Sequence, residues 1–211
     1  MSGLFITFEG NEGSGKSTQI QILAERLRSL GREVLALREP GGTPLGEEIR
    51  HLLKHSPAGT GMSSEAELLL MNASRAQLVR EVIRPALARN TVVLCDRFYD
   101  STLVYQGDAR GLPMDAVQNV IGFAVGDTIP NLTLFLDVPL EVSEARRASR
   151  SGTQPSAPDR FEAAGQEFFR RVEAGYNRLA AMEPARIKVI DATQSLADVT
   201  AAIWRQVEPV L

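Results

Sequence analysis

The stretch Gly10-Asn11-Glu12-Gly13-Ser14-Gly15-Lys16-Ser17 restricts the fold of this chain more than any other feature. It matches G-x-x-x-x-G-K-[ST] in full, follows the apolar run Leu4–Phe8 and opens a segment with helical spacing, the context this motif requires. A polyphosphate must sit against several backbone N–H groups, and glycines let the chain turn and approach that closely. A helix beginning near Gly15 adds unsatisfied N–H donors and partial positive charge. Lys16 then reaches the β- and γ-phosphates, and the Ser17 hydroxyl is placed to ligate Mg2+. Residues Gly10, Asn11, Glu12, Gly13, Ser14, Gly15, Lys16, Ser17 and Thr18 are the expected triphosphate cradle. The competing reading is a glycine turn with a helical lysine on a solvated face. The motif specifies nucleoside-triphosphate binding and leaves the reaction open.

Five short apolar runs predict strands: Leu4–Phe8, Val34–Leu37, Thr91–Cys95, Leu132–Leu136 and Ile187–Ile190. Between them, Ile20, Leu23, Ala24, Leu27 and Leu30 follow helical spacing, with Gly31 placed to end that helix. Thr43-Pro44 reads as a cap followed by a first-turn proline. Ser64 with Glu67 reads as a capping box opening a helix that runs to Arg84, just before Pro85. Further helices are predicted around Pro113–Val125, Leu140–Ala148, Phe161–Met182 and Leu196–Val207. Strands alternating with helices imply an α/β fold with a five-stranded parallel sheet covered on both faces. Four strands close on an acid (Glu9, Asp96, Asp137, Asp191) at the sheet edge where such folds bind ligands; a strand-end acid also caps turns.

Composition adds exclusions. With 211 residues, 44% apolar and 23% charged, the chain is neither disordered nor low-complexity, and it is expected to be a single domain, 1–211, with a short lid near 146–160. Twenty-three Lys+Arg against 26 Asp+Glu argue against a nucleic-acid partner. Cys95 is the only cysteine, no signal-peptide pattern opens the chain and no apolar run is long enough for a membrane span, so a cytoplasmic location without a membrane partner is expected. His51 and His55 read as surface residues.

Arginines carry the next clue. The stripe Leu68, Met71, Arg75, Leu78, Val82 places a guanidinium among apolar neighbours, where it must meet a carboxylate, a carbonyl or a ligand. Either it pairs with an acid such as Glu39, or Arg75 and Met71 line a pocket for a flat polar group. Arg38 and Arg97 follow strand ends on the edge that carries the phosphate loop, where a guanidinium binds phosphate oxygens bidentately, so together they suggest a second phosphate. Arg146, Arg147, Arg150 and Arg160 flank the Ser/Gly/Pro break Ser149–Pro158; they read as a solvated basic stretch or as a lid that closes over the triphosphate and excludes water.

These segments, in order, resemble the thymidylate kinases: Phe8-Glu9-Gly10, the phosphate loop, Arg38-Glu39-Pro40-Gly41-Gly42-Thr43, Ser74-Arg75-Ala76-Gln77, Asp96-Arg97-Phe98-Tyr99, Tyr105-Gln106-Gly107 and Leu136-Asp137-Val138. The resemblance, strongest to the bacterial type, implies a P-loop NTPase fold of the nucleoside monophosphate kinase kind, usually as a homodimer, that transfers the γ-phosphoryl of MgATP to dTMP. By position it implies that Arg38 and Arg97 hold the dTMP phosphate, Asp96 organises Mg2+ and Arg97, and Glu12 meets the sugar 3′-hydroxyl or the metal network. It further implies that Arg75 binds the thymine edge and that Thr102, Tyr105 and Gln106 close the sugar and base side. Gly13 stands where some members carry an arginine, which implies that Arg147, Arg150 or Arg160 in the lid supplies that charge. Met71 stands where the family usually has a phenylalanine against the base. Two other readings remain: a different nucleotide or deoxynucleoside kinase, and a nucleotide-controlled switch protein.

Overall fold

The computed structural model describes residues 3–150, 161 and 165–211, apart from the side chains of Arg147, Ala148 and Arg150. All five apolar runs are strands: β1 Phe5–Glu9, β2 Val34–Arg38, β3 Val92–Asp96, β4 Leu132–Asp137 and β5 Ile187–Asp191. They form one parallel sheet in the order β2-β3-β1-β4-β5. Each strand ends one residue later than the apolar pattern predicts, because backbone pairing is indifferent to the side chain that closes it. The register sets Asp96 beside both Phe8 and Arg38, and Asp137 beside Asp191, so the polar strand ends gather along one carboxyl edge.

The helices are α1 Lys16–Ser29, α2 Pro44–Lys54, α3 Ser64–Leu78, α4 Arg84–Ala88, α5 Tyr99–Thr102, α6 Met114–Val125, α7 Leu140–Arg150, α8 Gln166–Met182 and α9 Leu196–Val207. Alternate strand residues pack on opposite faces. Ile6, Phe8, Leu94 and Leu134 meet Leu23 and Leu27 of α1 and Ile203 of α9. Phe5, Val93, Cys95 and Phe135 meet the layer that holds α3 and α8. Leu27, Leu94 and Leu134 are fully buried, so truncating any one to Ala costs about 2–5 kcal/mol.

Caps explain the helix ends. The Thr43 hydroxyl accepts from the Gly46 N–H at 3.0 Å with Pro44 in the first turn, and Gly31 (φ +77°) follows α1 in the left-handed region, both as expected. Four boundaries differ. Ser63, not Ser64, caps α3, its hydroxyl accepting from the Ala66 N–H at 3.2 Å. The helix does not stop before Pro85: it widens into a π turn over Val79–Ile83, where the Arg84 N–H reaches the Val79 carbonyl, and continues as α4. Pro85 thereby falls in the first turn of a new segment, where a missing N–H costs little. Lastly, α7 runs past Ala148 to Arg150, and α8 begins at Gln166, beyond Phe161.

One element has no counterpart in the sequence pattern. The chain from Tyr99 to Ala109 is helical, as α5 and then a π turn over Leu103–Ala109. Thr102 through Gly107 are all buried, so no polar face remains to reveal a helical period. No helix among the described residues is long and apolar enough to cross a membrane.

Candidate active site

The loop Gly10–Gly15 joins β1 to α1 as the motif demands. Gly10 (φ +130°), Gly13 (φ +92°) and Gly15 (φ +94°) all take positive φ, a region L side chains rarely enter. At Gly13 a Cβ would also lie 2.6 Å from the Ser143 carbonyl oxygen of α7, so the glycine lets α7 seat directly on the loop. Lys16 Nζ donates to the Gly10 and Asn11 carbonyls at 3.0 and 2.9 Å. Burial, then the nearby positive Arg97, pull its ammonium down to about 8.

Across the sheet edge the Ser17 hydroxyl donates to Asp96 Oδ2 at 3.0 Å, which joins the two predicted metal ligands. Among the described residues no group of three or more His, Cys, Asp or Glu forms a metal cage. Two hard oxygen donors beside a phosphate loop fit Mg2+, which is held by one or two protein oxygens plus substrate phosphates.

These groups open onto a cavity of about 270 Å3. Glu12, Gly13, Gly15, Lys16, Ser17 and Thr18 line one part, with Asp96; Arg38, Met71, Arg75, Arg97, Thr102, Tyr105 and Gln106 are among the residues that line the rest. Gly10, Asn11 and Ser14 do not line it; Gly10 and Asn11 supply the carbonyls that hold Lys16. Arg160 and the side chains of Arg147 and Arg150 lie outside the described residues. Arg146 Nη2 donates to the Ala192 carbonyl at 3.0 Å, tying α7 to the end of β5.

Arg75 is paired with Glu39 and, beside Met71, also lines the cavity. Nε donates to Glu39 Oε2 at 2.8 Å, Nη1 to Asn72 Oδ1 and Thr102 Oγ1 at 2.9 Å each, and Nη2 to the Phe98 carbonyl at 3.2 Å. The second Glu39 oxygen, Oε1, is buried without a hydrogen-bond partner, and burial pushes this carboxyl up to about 7 despite Arg75. Gln106 donates through Nε2 to the buried Glu67 at 2.7 Å.

Arg97 is one of two non-glycine residues with positive φ (+68°) among the described residues. Its Nη1 donates to Ser101 Oγ at 3.1 Å and Tyr176 Oη at 3.2 Å, and its guanidinium lies 5.1 Å from the Tyr105 ring centroid. Arg38 is half-exposed and pairs with Glu47 at 3.0 Å. Asp191 is a turn cap, accepting from Thr193 and Gln194, and neither it nor Asp137 lines the cavity. His51 and His55 are exposed, as expected.

Glu9, expected only as one of four strand-end acids, lies behind Ser101 and Tyr176, the two acceptors of Arg97; those two, and Arg50 and Lys54 of α2, which line the cavity, are not among the residues singled out from the sequence. The four-residue spacing of Arg50 and Lys54 puts both on one helix face, a signal the sequence offered. Nothing near Tyr176 in the sequence hints at its partner.

A family model for thymidylate kinase matches residues 8–203. The chain belongs to the thymidylate kinase family. It is therefore a nucleoside monophosphate kinase, in a family that phosphorylates dTMP to dTDP. The chain is 52% identical over 203 residues to the thymidylate kinase of Pseudomonas syringae pv. tomato, spanning 96% of this chain and 94% of that one. It is 49% identical over 211 residues to the thymidylate kinase of Pseudomonas putida, spanning 100% and 96%. Among solved structures, the thymidylate kinase of Ehrlichia chaffeensis superposes with a TM-score of 0.78 at 31% identity over 99% of both chains.

Proposed function

We propose that this chain moves the γ-phosphoryl group of MgATP to dTMP in line, with the two nucleotides meeting head to head in the one cavity. The observation that carries the reading is that the phosphate loop and three arginines from separate elements, Arg38, Arg75 and Arg97, line the same space. A triphosphate alone does not need the second set.

Lys16 and the loop N–H groups hold the β- and γ-phosphates, while Arg38 and Arg97 offset the repulsion between the donor and acceptor phosphates. Ser17 and Asp96 would hold Mg2+, which neutralises charge on the triphosphate oxygens when bound. The acceptor phosphate is already an anion, so no side chain has to remove a proton, in keeping with two surface histidines. Arg75 and Met71 take the base, Thr102, Tyr105 and Gln106 the sugar and base side, and Glu12 the 3′-hydroxyl or the metal network. Of the lid arginines Arg147, Arg150 and Arg160, carried by the family resemblance, at least one completes the charge around the transferred group.

The test is phosphoryl transfer from ATP to dTMP, dUMP, GMP and thymidine side by side. The reading predicts dTMP as the preferred acceptor and loss of turnover in Lys16→Ala; preference for thymidine, or release of free phosphate without transfer, defeats it. We also infer a single domain, 1–211, with its lid near 146–160, and a homodimer. Leu69 of α3 and Phe123 of α6 support the dimer, being 58% and 87% exposed on two helices that pack together.

A further inference from the structure

We propose that Glu9, which does not line the cavity, is the positioning residue that fixes Arg97 for the acceptor phosphate, acting through the hydroxyls of Ser101 and Tyr176. The inference rests on the reading that Arg97 binds that phosphate.

Four groups from three parts of the chain close one array. Glu9, at the end of β1, is fully buried. Its Oε2 accepts from the Ser101 hydroxyl at 2.6 Å and from the Tyr176 hydroxyl at 2.8 Å. Those oxygens are the two acceptors of Arg97 Nη1. The two hydroxyls lie 2.9 Å apart and each has one proton; with both given to Glu9, the oxygens keep their lone pairs for the guanidinium. A carboxylate and a guanidinium are thereby paired without touching, and both Nη1 protons are used. Nε and Nη2, the remaining edge of the fork, are left for a phosphate.

The same carboxylate also governs the backbone. Its Oε1 accepts the Phe98 N–H at 2.8 Å, the residue after the left-handed Arg97. One side chain thus holds both the turn that presents Arg97 and the hydroxyls that aim it. Everything offered to Glu9 has a proton to give, an environment suited to an anion. Burial and then Asp100 hold the Glu9 carboxyl above its ordinary range, and Arg97, Ser101 and Phe98 offset that only in part.

Initial-rate kinetics on Glu9→Gln, Tyr176→Phe and Arg97→Lys test this, with thymidine as a competitive inhibitor that lacks the phosphate. Glu9→Gln should raise the KM for dTMP roughly tenfold or more, the scale of a lost hydrogen bond to a charged group. Tyr176→Phe, which removes one oxygen, should raise it less. In both, the KM for ATP and the inhibition constant of thymidine should stay at wild-type values, a split that a general packing defect would not give. If Glu9→Gln does not fold, Tyr176→Phe carries the same test. Unchanged dTMP KM in Tyr176→Phe and Glu9→Gln beside a raised one in Arg97→Lys overturns the inference and spares the reading of Arg97. A thymidine constant that rises as much as the dTMP KM overturns the inference too. An unchanged dTMP KM in Arg97→Lys overturns the reading itself.

Discussion

Arg75 and Glu39 meet through a forked contact in which Nε and Nη2 both reach one carboxylate oxygen at 2.8 Å, with side chains only 2% and 3% exposed. A buried pair of this kind adds little net stability, yet removing one partner strands the other as an uncompensated charge. Arg75→Ala should lower unfolding stability by about 3–5 kcal/mol, while the double change to Arg75→Met with Glu39→Leu should recover most of it without restoring activity. Urea unfolding checks this, and an Arg75→Ala protein as stable as the wild type would refute it. The pair also has a pH signature. Glu39 titrates at about 7 in the folded protein against an ordinary 4.5, so the folded state holds a proton the unfolded chain has released. Stability therefore falls as pH climbs between those values, and Glu39→Gln should flatten that slope.

Lys16 gives a second pH dependence, this time in binding. Its folded value of about 8, below the ordinary 10.5, means the unliganded protein sheds this proton as pH passes 8. A bound triphosphate favours the charged form, so ATP binding above pH 8 should take up a proton and weaken as pH rises. Calorimetry in two buffers of different ionisation heat measures the uptake. Affinity independent of pH between 7 and about 9 would show that Lys16 stays charged without ligand.

Met71 lines the cavity one turn before Arg75. A thioether makes favourable contacts with a ring, worth roughly 0.3–1.5 kcal/mol, but it orients a flat base less firmly than an aromatic ring. Met71→Phe should sharpen the preference for dTMP over dUMP severalfold in kcat/KM. An unchanged ratio would mean that the base is oriented elsewhere.

The sheet and phosphate loop were legible because their signals are local: continuous apolar strands, glycines in a fixed pattern, a cap at Thr43. Arg75 was legible as a conflict, a charge in an apolar stripe, and the conflict named Glu39 as one answer. The Glu9–Tyr176 contact spans 167 residues, and no period or motif connects positions so far apart. The helix from Tyr99 to Ala109 escaped for the opposite reason: burial on every side erases the amphipathic period. Pro85 misled because the rule that proline ends a helix presumes regular α geometry, and a π turn precedes it.

The central claim is that two nucleotides occupy this cavity together. Calorimetric titration of dTMP into protein saturated with a non-hydrolysable ATP analogue and Mg2+ measures that directly. One dTMP per chain, bound without displacing the analogue, is the predicted result. Competition between the two ligands, or no dTMP binding at all, would contradict it.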